Sequence, residues 1–390
     1  MNKTILLSFV SAALLLSARA DFIWRTCIPD GGLSAAAASN SVTLTLSGRG
    51  VRCGGDGYVA AAVPLLERGQ LDFDLRITPP ERNRAMSHFL TLYGIRVFWH
   101  DGCRDWRVIF PEPNANRETG FHDEPVRHHQ IAKFTAGTWH HCRIAFDAPG
   151  DRVEFFLDDM GDPAYIAGDV SVWREAEFEG GELKIGGMGL SGGSVGEFRN
   201  LTLVETKAND AAVARTETLI FNGMASEYYG VDEFLAADGP QLYLLDFTRY
   251  CYMPRNCYKY SKLPGVERMR RAKRIVLVDA PVSFDHVLPD FILKDIVTAA
   301  HEGAEVIFLD GPFALERGEY AGTVLERILP EGTLAATAFP PLRTTPEILT
   351  RTVGKGTVKV FRGLRFGADP KEFRTRFAPW AEKLFGKVAK

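Results

Sequence analysis

At 390 residues, 46% apolar and 24% charged, the chain has the make-up of a packed globular protein too long for one ordinary domain, which excludes disorder and points to two domains. A formal net charge of −3 excludes the broad basic surface that nucleic-acid binding requires. Past the N-terminus there is no long uncharged apolar run, so no membrane span is expected in the mature chain.

Residues 1–20 read as an export signal. Lys3 supplies the positive end, residues 5–16 the short apolar core, and Ala18-Arg19-Ala20 the cleavage site. Removing the segment leaves 44 basic against 49 acidic residues, a formal charge of −5. No Cys follows the cut, so the mature protein is expected free in a periplasm or outside the cell. Six cysteines remain, and an oxidising compartment would pair them. The early four, Cys27, Cys53, Cys103 and Cys142, allow three connectivities, of which Cys27–Cys53 with Cys103–Cys142 is favoured. Cys251 and Cys257 would pin a loop. Neither spacing resembles a zinc knuckle, so no metal is assigned.

Residues 21–206 show strand-like alternation at short intervals, with Gly, Pro, Asn and Asp between the runs. Leu71, Phe73, Leu75 and Ile77 alternate with Asp72, Asp74 and Arg76, and similar runs begin at Val42, Ile144, Val153 and Phe198. Such strands predict an antiparallel β-sandwich. The order Gly137-Thr138-Trp139-His140, then Leu157-Asp158-Asp159, then Leu183-Lys184-Ile185-Gly186-Gly187, then Gly196-Glu197-Phe198 resembles the concanavalin A-like, laminin-G-type lectin and glucanase family. The resemblance implies a jelly-roll sandwich, a fold that hosts lectins, hydrolases and spacers alike.

Seven of the nine histidines lie between His88 and His141, but His140 and His141 are neighbours on a strand and point to opposite faces, so they do not share an ion. Trp99, Trp106 and Trp139 are either core residues or platforms for sugar rings, with Trp106 the chosen ligand-binding candidate. The Glu-x-Asp-x-Glu run of related glucanases is absent, and Asp72-Phe73-Asp74 reads as an outward polar face.

Residues 207–217 are a polar linker, and the rhythm then changes. Strands are expected at 218–221, 241–247, 274–279, 304–310 and 357–361, with helices at 228–237, 287–302, 325–330 and 379–387. The alternation predicts a doubly wound parallel α/β sheet over 218–390, making the chain a multidomain β plus α/β protein. Asp279-Ala280-Pro281, Gly311-Pro312-Phe313 and Gly318-Glu319-Tyr320-Ala321-Gly322 resemble the class I glutamine amidotransferase-like fold in a branch of exported, non-enzymatic-looking proteins. The family's enzymes carry a nucleophilic Cys where Gly311-Pro312-Phe313 stands, so the resemblance implies no glutaminase step here.

Asn222, Asp246, Asp279 and Asp310 fall at carboxyl ends of the expected strands, the edge at which open α/β sheets bind ligands. Arg317 and Tyr320 follow in a loop able to close over them. The plainer reading, which carries more weight, is that each Asp or Asn caps the next helix or stabilises a turn. Residues 247–272 hold Tyr250, Tyr252, Tyr258 and Tyr260 among Arg249, Arg255, Lys259 and Lys262, which suits a clamp for an acidic sugar or partner protein, or a solvated flap. The expected function is an exported, non-catalytic binding protein without cofactor, contacting glycan or a surface protein. The alternatives are a hydrolase or isomerase using the strand-end carboxylates, and a purely structural module.

Overall fold

The computed structural model describes residues 22–27, 33–46, 57–78, 86–93, 95–100, 105–109, 128–150, 152–168, 181–189, 195–207, 213–222, 241–244, 263–280, 282, 288, 290–309, 314–315, 318–334, 347–362 and 375. Among these, strands predominate and form three sheets.

The first sheet runs in the order β1 (Trp24–Cys27), β4 (Tyr58–Ala62), β13 (Glu182–Gly189), β6 (Met86–Leu92), β7 (Ile95–His100), β8 (Asp105–Ile109), β9 (His128–Lys133). The second is β12 (Tyr165–Gly168), β11 (Arg152–Leu157), β10 (His140–Asp147), β5 (Arg68–Thr78), β14 (Val195–Glu205), β3 (Ser41–Leu46), β2 (Leu33–Ala38). Every junction in both is antiparallel. Side chains alternate across each strand, so the apolar set of each sheet turns inward to one shared core. On β5, Leu71, Phe73, Leu75 and Ile77 are buried while Asp72, Asp74 and Arg76 stay on the outer face. On β10, His140, Cys142, Ile144 and Phe146 face in and His141 and Arg143 face out. The two histidines therefore diverge, as their adjacency requires.

Two expectations fail inside this core. Cys142 is a free, fully buried thiol, so the Cys103–Cys142 bridge is not formed. Its place opposite Phe73 and Leu157 surrounds the sulfur with apolar groups, and burial, helped by the charges of Asp158 and Asp74, pushes its pKa well up, leaving it unreactive. Cys27 ends β1, and the remaining cysteines lie outside the described residues. Trp106 has no exposed face: it stacks on Trp99 and meets Phe155 edge-on, so it offers nothing to a sugar ring.

The third sheet runs β16 (Gln241–Leu244), β15 (Glu217–Asn222), β17 (Ala272–Val278), β18 (Glu305–Leu309), β20 (Gly356–Arg362), β19 (Glu347–Val353). Its first four junctions are parallel, and β19 returns antiparallel to β20. Parallel strands need a crossover, and α2 (Asp290–Glu302) supplies it between β17 and β18. Ile292, Leu293, Ile296, Ala299 and Ala300 form its apolar stripe and pack into a second core with Leu219, Phe221, Ile275, Leu277, Val306 and Phe308.

The chain departs from expectation at several points. The helix starts at Asp290, not 287, and residues 325–330 hold only a short 3-10 helix, Val324–Arg327. The edge strand β19 was not anticipated, since its side chains are mostly exposed and polar. The end of the linker is tied down: Arg215 donates to the Ala272 carbonyl (2.9 Å) and to Glu302 (2.5 Å), and Thr216 N–H to the Arg271 carbonyl (2.9 Å). The expected helices at 228–237 and 379–387 lie outside the described residues, as do the tyrosines of 247–262.

Candidate functional site

The parallel sheet brings two of the strand-end candidates to adjacent strands. Asn222 ends β15 in register with Val278 of β17, and Asp279 follows Val278 directly. The Asp279 N–H extends the ladder to the Leu309 carbonyl (3.2 Å), and its φ of 44° lies in the left-handed region, which aspartate enters more readily than most non-glycine residues. The residue is fully buried, so its carboxyl is not presented to solvent. Asp246, Asp310 and Arg317 lie outside the described residues.

Tyr320 reaches the same edge, with its ring and hydroxyl engaged by the protein. It is buried, its ring meets Phe308 edge-on (centroids 5.3 Å apart), and its hydroxyl donates to the Ala280 carbonyl at 2.7 Å. The left-handed Gly318 (φ 70°) turns the chain into this position, and Thr323 Oγ1 donates to the Tyr320 carbonyl at 2.7 Å. Tyr320 thus ties its loop to the exit of β17. Residues 263–271 leave the ligand edge: α1 (Val266–Arg271) leads into the start of β17, and Arg271 pairs with Glu217 at the start of β15 (2.7 Å).

A second cluster lies on the outer face of the sandwich, where β5 is flanked by β10 and β14. Antiparallel register sets His141, Asp74 and Arg199 in one row and Arg143, Asp72 and Thr202 in the next. Asp74 accepts hydrogen bonds from His141 Nδ1 (2.9 Å), Asn200 Nδ2 (2.7 Å) and Arg199 Nε (3.2 Å). Asn200 reaches it because β14 bulges between Arg199 and Thr202, where Asn200 takes a left-handed φ of 55°. Asp72 accepts from Arg143 Nε (2.7 Å) and Gln70 Nε2 (2.8 Å), and Arg76 grips Glu197 with two bonds of 2.6 and 2.7 Å. Trp139 stands at the margin, half-buried, with the guanidinium carbons of Arg199 and Arg76 3.7 and 4.7 Å from its ring centroid. Behind the row, His140 Nδ1 donates to Asp158 (2.7 Å), whose other oxygen accepts the His141 N–H (2.9 Å).

The electrostatics follow from the pairing. Partial burial alone would raise the Asp74 carboxyl, but its three donors outweigh that and hold it below the usual aspartate range. A carboxylate so held stays ionised near neutral pH, so Asp74 serves this face as a hydrogen-bond acceptor. Each carboxylate of the face has a guanidinium partner, so the patch is close to neutral while rich in fixed donors and acceptors. Among the described residues, no group of His, Cys, Asp and Glu is arranged to hold a metal ion.

Asp72 and Asp74 were legible as an outward pair. Arg143, Arg199 and Asn200 were missed, because only the sheet order places β10 and β14 on either side of β5. Of the three sandwich tryptophans weighed, Trp139 alone keeps part of its surface, while Trp99 and Trp106 are core.

No protein-family model matches the chain, and no curated protein matches it. Solved structures match about half of it. A sialidase is 11% identical over 55% of this chain and 19% of its own, with a TM-score of 0.34, so the chain spans about a fifth of that protein's length. The VIP36 exoplasmic/lumenal domain, in its Ca2+/Man3GlcNAc-bound form, is 9% identical over 48% of this chain and 85% of its own (TM-score 0.34). A legume lectin-like domain from Entamoeba histolytica is 12% identical over 47% and 90% (TM-score 0.34). Likeness this distant leaves every residue's role to be argued from the chain's own geometry.

Proposed function

We propose that the chain is an exported, non-catalytic carbohydrate-binding protein whose sandwich, of jelly-roll type, holds a neutral saccharide on the outer face of β10, β5 and β14. One observation carries the reading: Asp74 is fixed by His141, Asn200 and Arg199 beside the half-buried ring of Trp139. A hydroxyl-rich ligand is recognised by planar polar groups of fixed orientation next to an aromatic surface. Because the ion pairs cancel, such a face favours uncharged sugars over anions or cations. Export rests on the pattern of residues 1–20. A glycan array of the purified protein beside Asp74→Asn and Trp139→Ala tests the reading. Binding of neutral glycans lost in both variants supports it, and binding that survives both overturns it.

The C-terminal half is best understood as a doubly wound α/β domain over 218–390, of the amidotransferase-like kind without its nucleophile. The parallel run β16-β15-β17-β18-β20 and the thiol-free Gly311-Pro312-Phe313 after β18 support this. In a second reading this edge acts on a sugar derivative through Asp279 with Asp246 and Asp310, which requires the Asp279 carboxyl, buried beside Asn222, to be uncovered when substrate binds. Turnover of such a compound abolished by Asp279→Asn supports it, and unchanged turnover overturns it.

A further inference from the structure

The contact between the sandwich and the third-sheet layer is made by charges that have left water. Arg152, first residue of β11, is only 6% exposed. Its Nη1 pairs with Asp295 of α2, its Nε lies 2.9 Å from Glu154 Oε1, and its Nη2 reaches the Pro264 carbonyl at 3.4 Å. The guanidinium lies over the ring of Phe291, one turn before Asp295 (5.3 Å to the centroid). Burial disfavours the Arg152 charge, yet Asp295 and Glu154 more than offset it. Burial also holds the Asp295 carboxyl above its ordinary range against the pull of Arg152.

Glu154 has a second duty. Helix α1 begins after Gly265, which has no side chain to cap it, and the Val266 N–H donates instead to Glu154 Oε1 at 2.9 Å. A Cβ at position 265 would sit 3.0 Å from Pro163 Cδ and 3.3 Å from Glu154 Oε2, so glycine is what lets the carboxylate approach. Further along α1, Arg268 ties Asp162 (2.9 Å) to Glu217 (3.1 Å), joining the turn between β11 and β12 to the start of β15. Ile166 of β12 completes the contact by packing into the second core.

We infer that Arg152 and Glu154 clamp the sandwich and the third-sheet layer into one cooperative unit, with Glu154 capping α1 from across the interface. A rigid joint follows from the chemistry. Separating the two layers strips Asp295 of Arg152, leaves Arg152 only its own-strand partner Glu154, and uncaps α1 in the same movement, so partial opening gains nothing. The sandwich is therefore part of what folds the third-sheet layer, and the polar segment between them is a bridge within one body.

Thermal unfolding of the full mature chain, followed at once by calorimetry and near-UV circular dichroism, tests this. A single coincident transition is expected for the wild type, and two separated transitions would overturn the inference. Arg152→Ala should split the transition and speed proteolytic cleavage within residues 207–216 by at least tenfold; a single transition with unchanged cleavage overturns the clamp. Should Arg152→Ala fail to fold, Glu154→Ala decides by hydrogen exchange. At least tenfold faster exchange of the Val266 amide, with β5 and β10 still protected, is expected, and an unchanged Val266 rate rejects the capping role.

Discussion

Trp99 and Trp106 face each other across the β7–β8 pair with ring centroids 5.4 Å apart and planes inclined by 8°. Phe73 and Phe198 close on Trp99 edge-on, and Phe155 on Trp106. The stack fills the space between the two sheets, so Trp106→Ala opens a cavity and is expected to cost about 3–5 kcal/mol, as measured by denaturant unfolding. Both indole N–H groups are buried without an acceptor among the described residues. Trp106→Phe, which removes one of these unmet donors, should therefore cost much less than the alanine change. Neither variant should alter glycan affinity once corrected for the folded fraction.

Asp74 gives the sandwich a pH signature. Its folded carboxyl lies below the ordinary aspartate value of 3.8, so the unfolded chain binds the proton more readily. The associated stability is present above that value and is lost as pH falls through the lower folded one. Asp74→Asn should be less stable than wild type near neutrality, with the gap narrowing under acid. A gap that stays constant from neutrality to pH 2 would contradict the assignment.

Tyr320 is a strut. Removing its hydroxyl leaves the buried Ala280 carbonyl without that donor while the ring stays packed on Phe308. Tyr320→Phe should cost about 1–3 kcal/mol in unfolding free energy. Faster exchange of the Asp279 amide should accompany it, since Ala280 is its neighbour.

Gly354 turns β19 into β20 with a φ of 56°, and a Cβ there would collide with the His301 carbonyl at the end of α2. The left-handed backbone alone costs a non-glycine residue about 1–2 kcal/mol, and the collision adds to it. Gly354→Ala should lower the unfolding midpoint and release exchange protection across β19 first, because β19 is the sheet's edge.

Periodicity decides how much of this was legible. In β5 and β10 the period-2 pattern assigns faces outright, so the outward Asp72 and Asp74 and the diverging His140 and His141 followed from local sequence. The β17–α2–β18 unit was equally plain, because a buried parallel strand and an amphipathic helix differ in both length and period. Which tryptophan meets water was not local. Trp106 and Trp139 both lie in or beside strands, and only the pairing of β8 with β7 puts the first against Trp99. Cys142 shows the same limit: counting cysteines suggested a bridge, while the parity of β10 points the thiol into the core. Helix α1 escaped notice because its cap comes from Glu154, more than a hundred residues earlier in the chain.

Isothermal titration of the mature protein with neutral oligosaccharides, run in parallel on Asp74→Asn and Trp139→Ala, tests the central claim most directly. Saturable binding by the wild type, weakened at least tenfold in both variants while their unfolding remains cooperative, is the predicted result. A wild type that takes up no neutral sugar, or variants that bind as well as it does, would contradict the account.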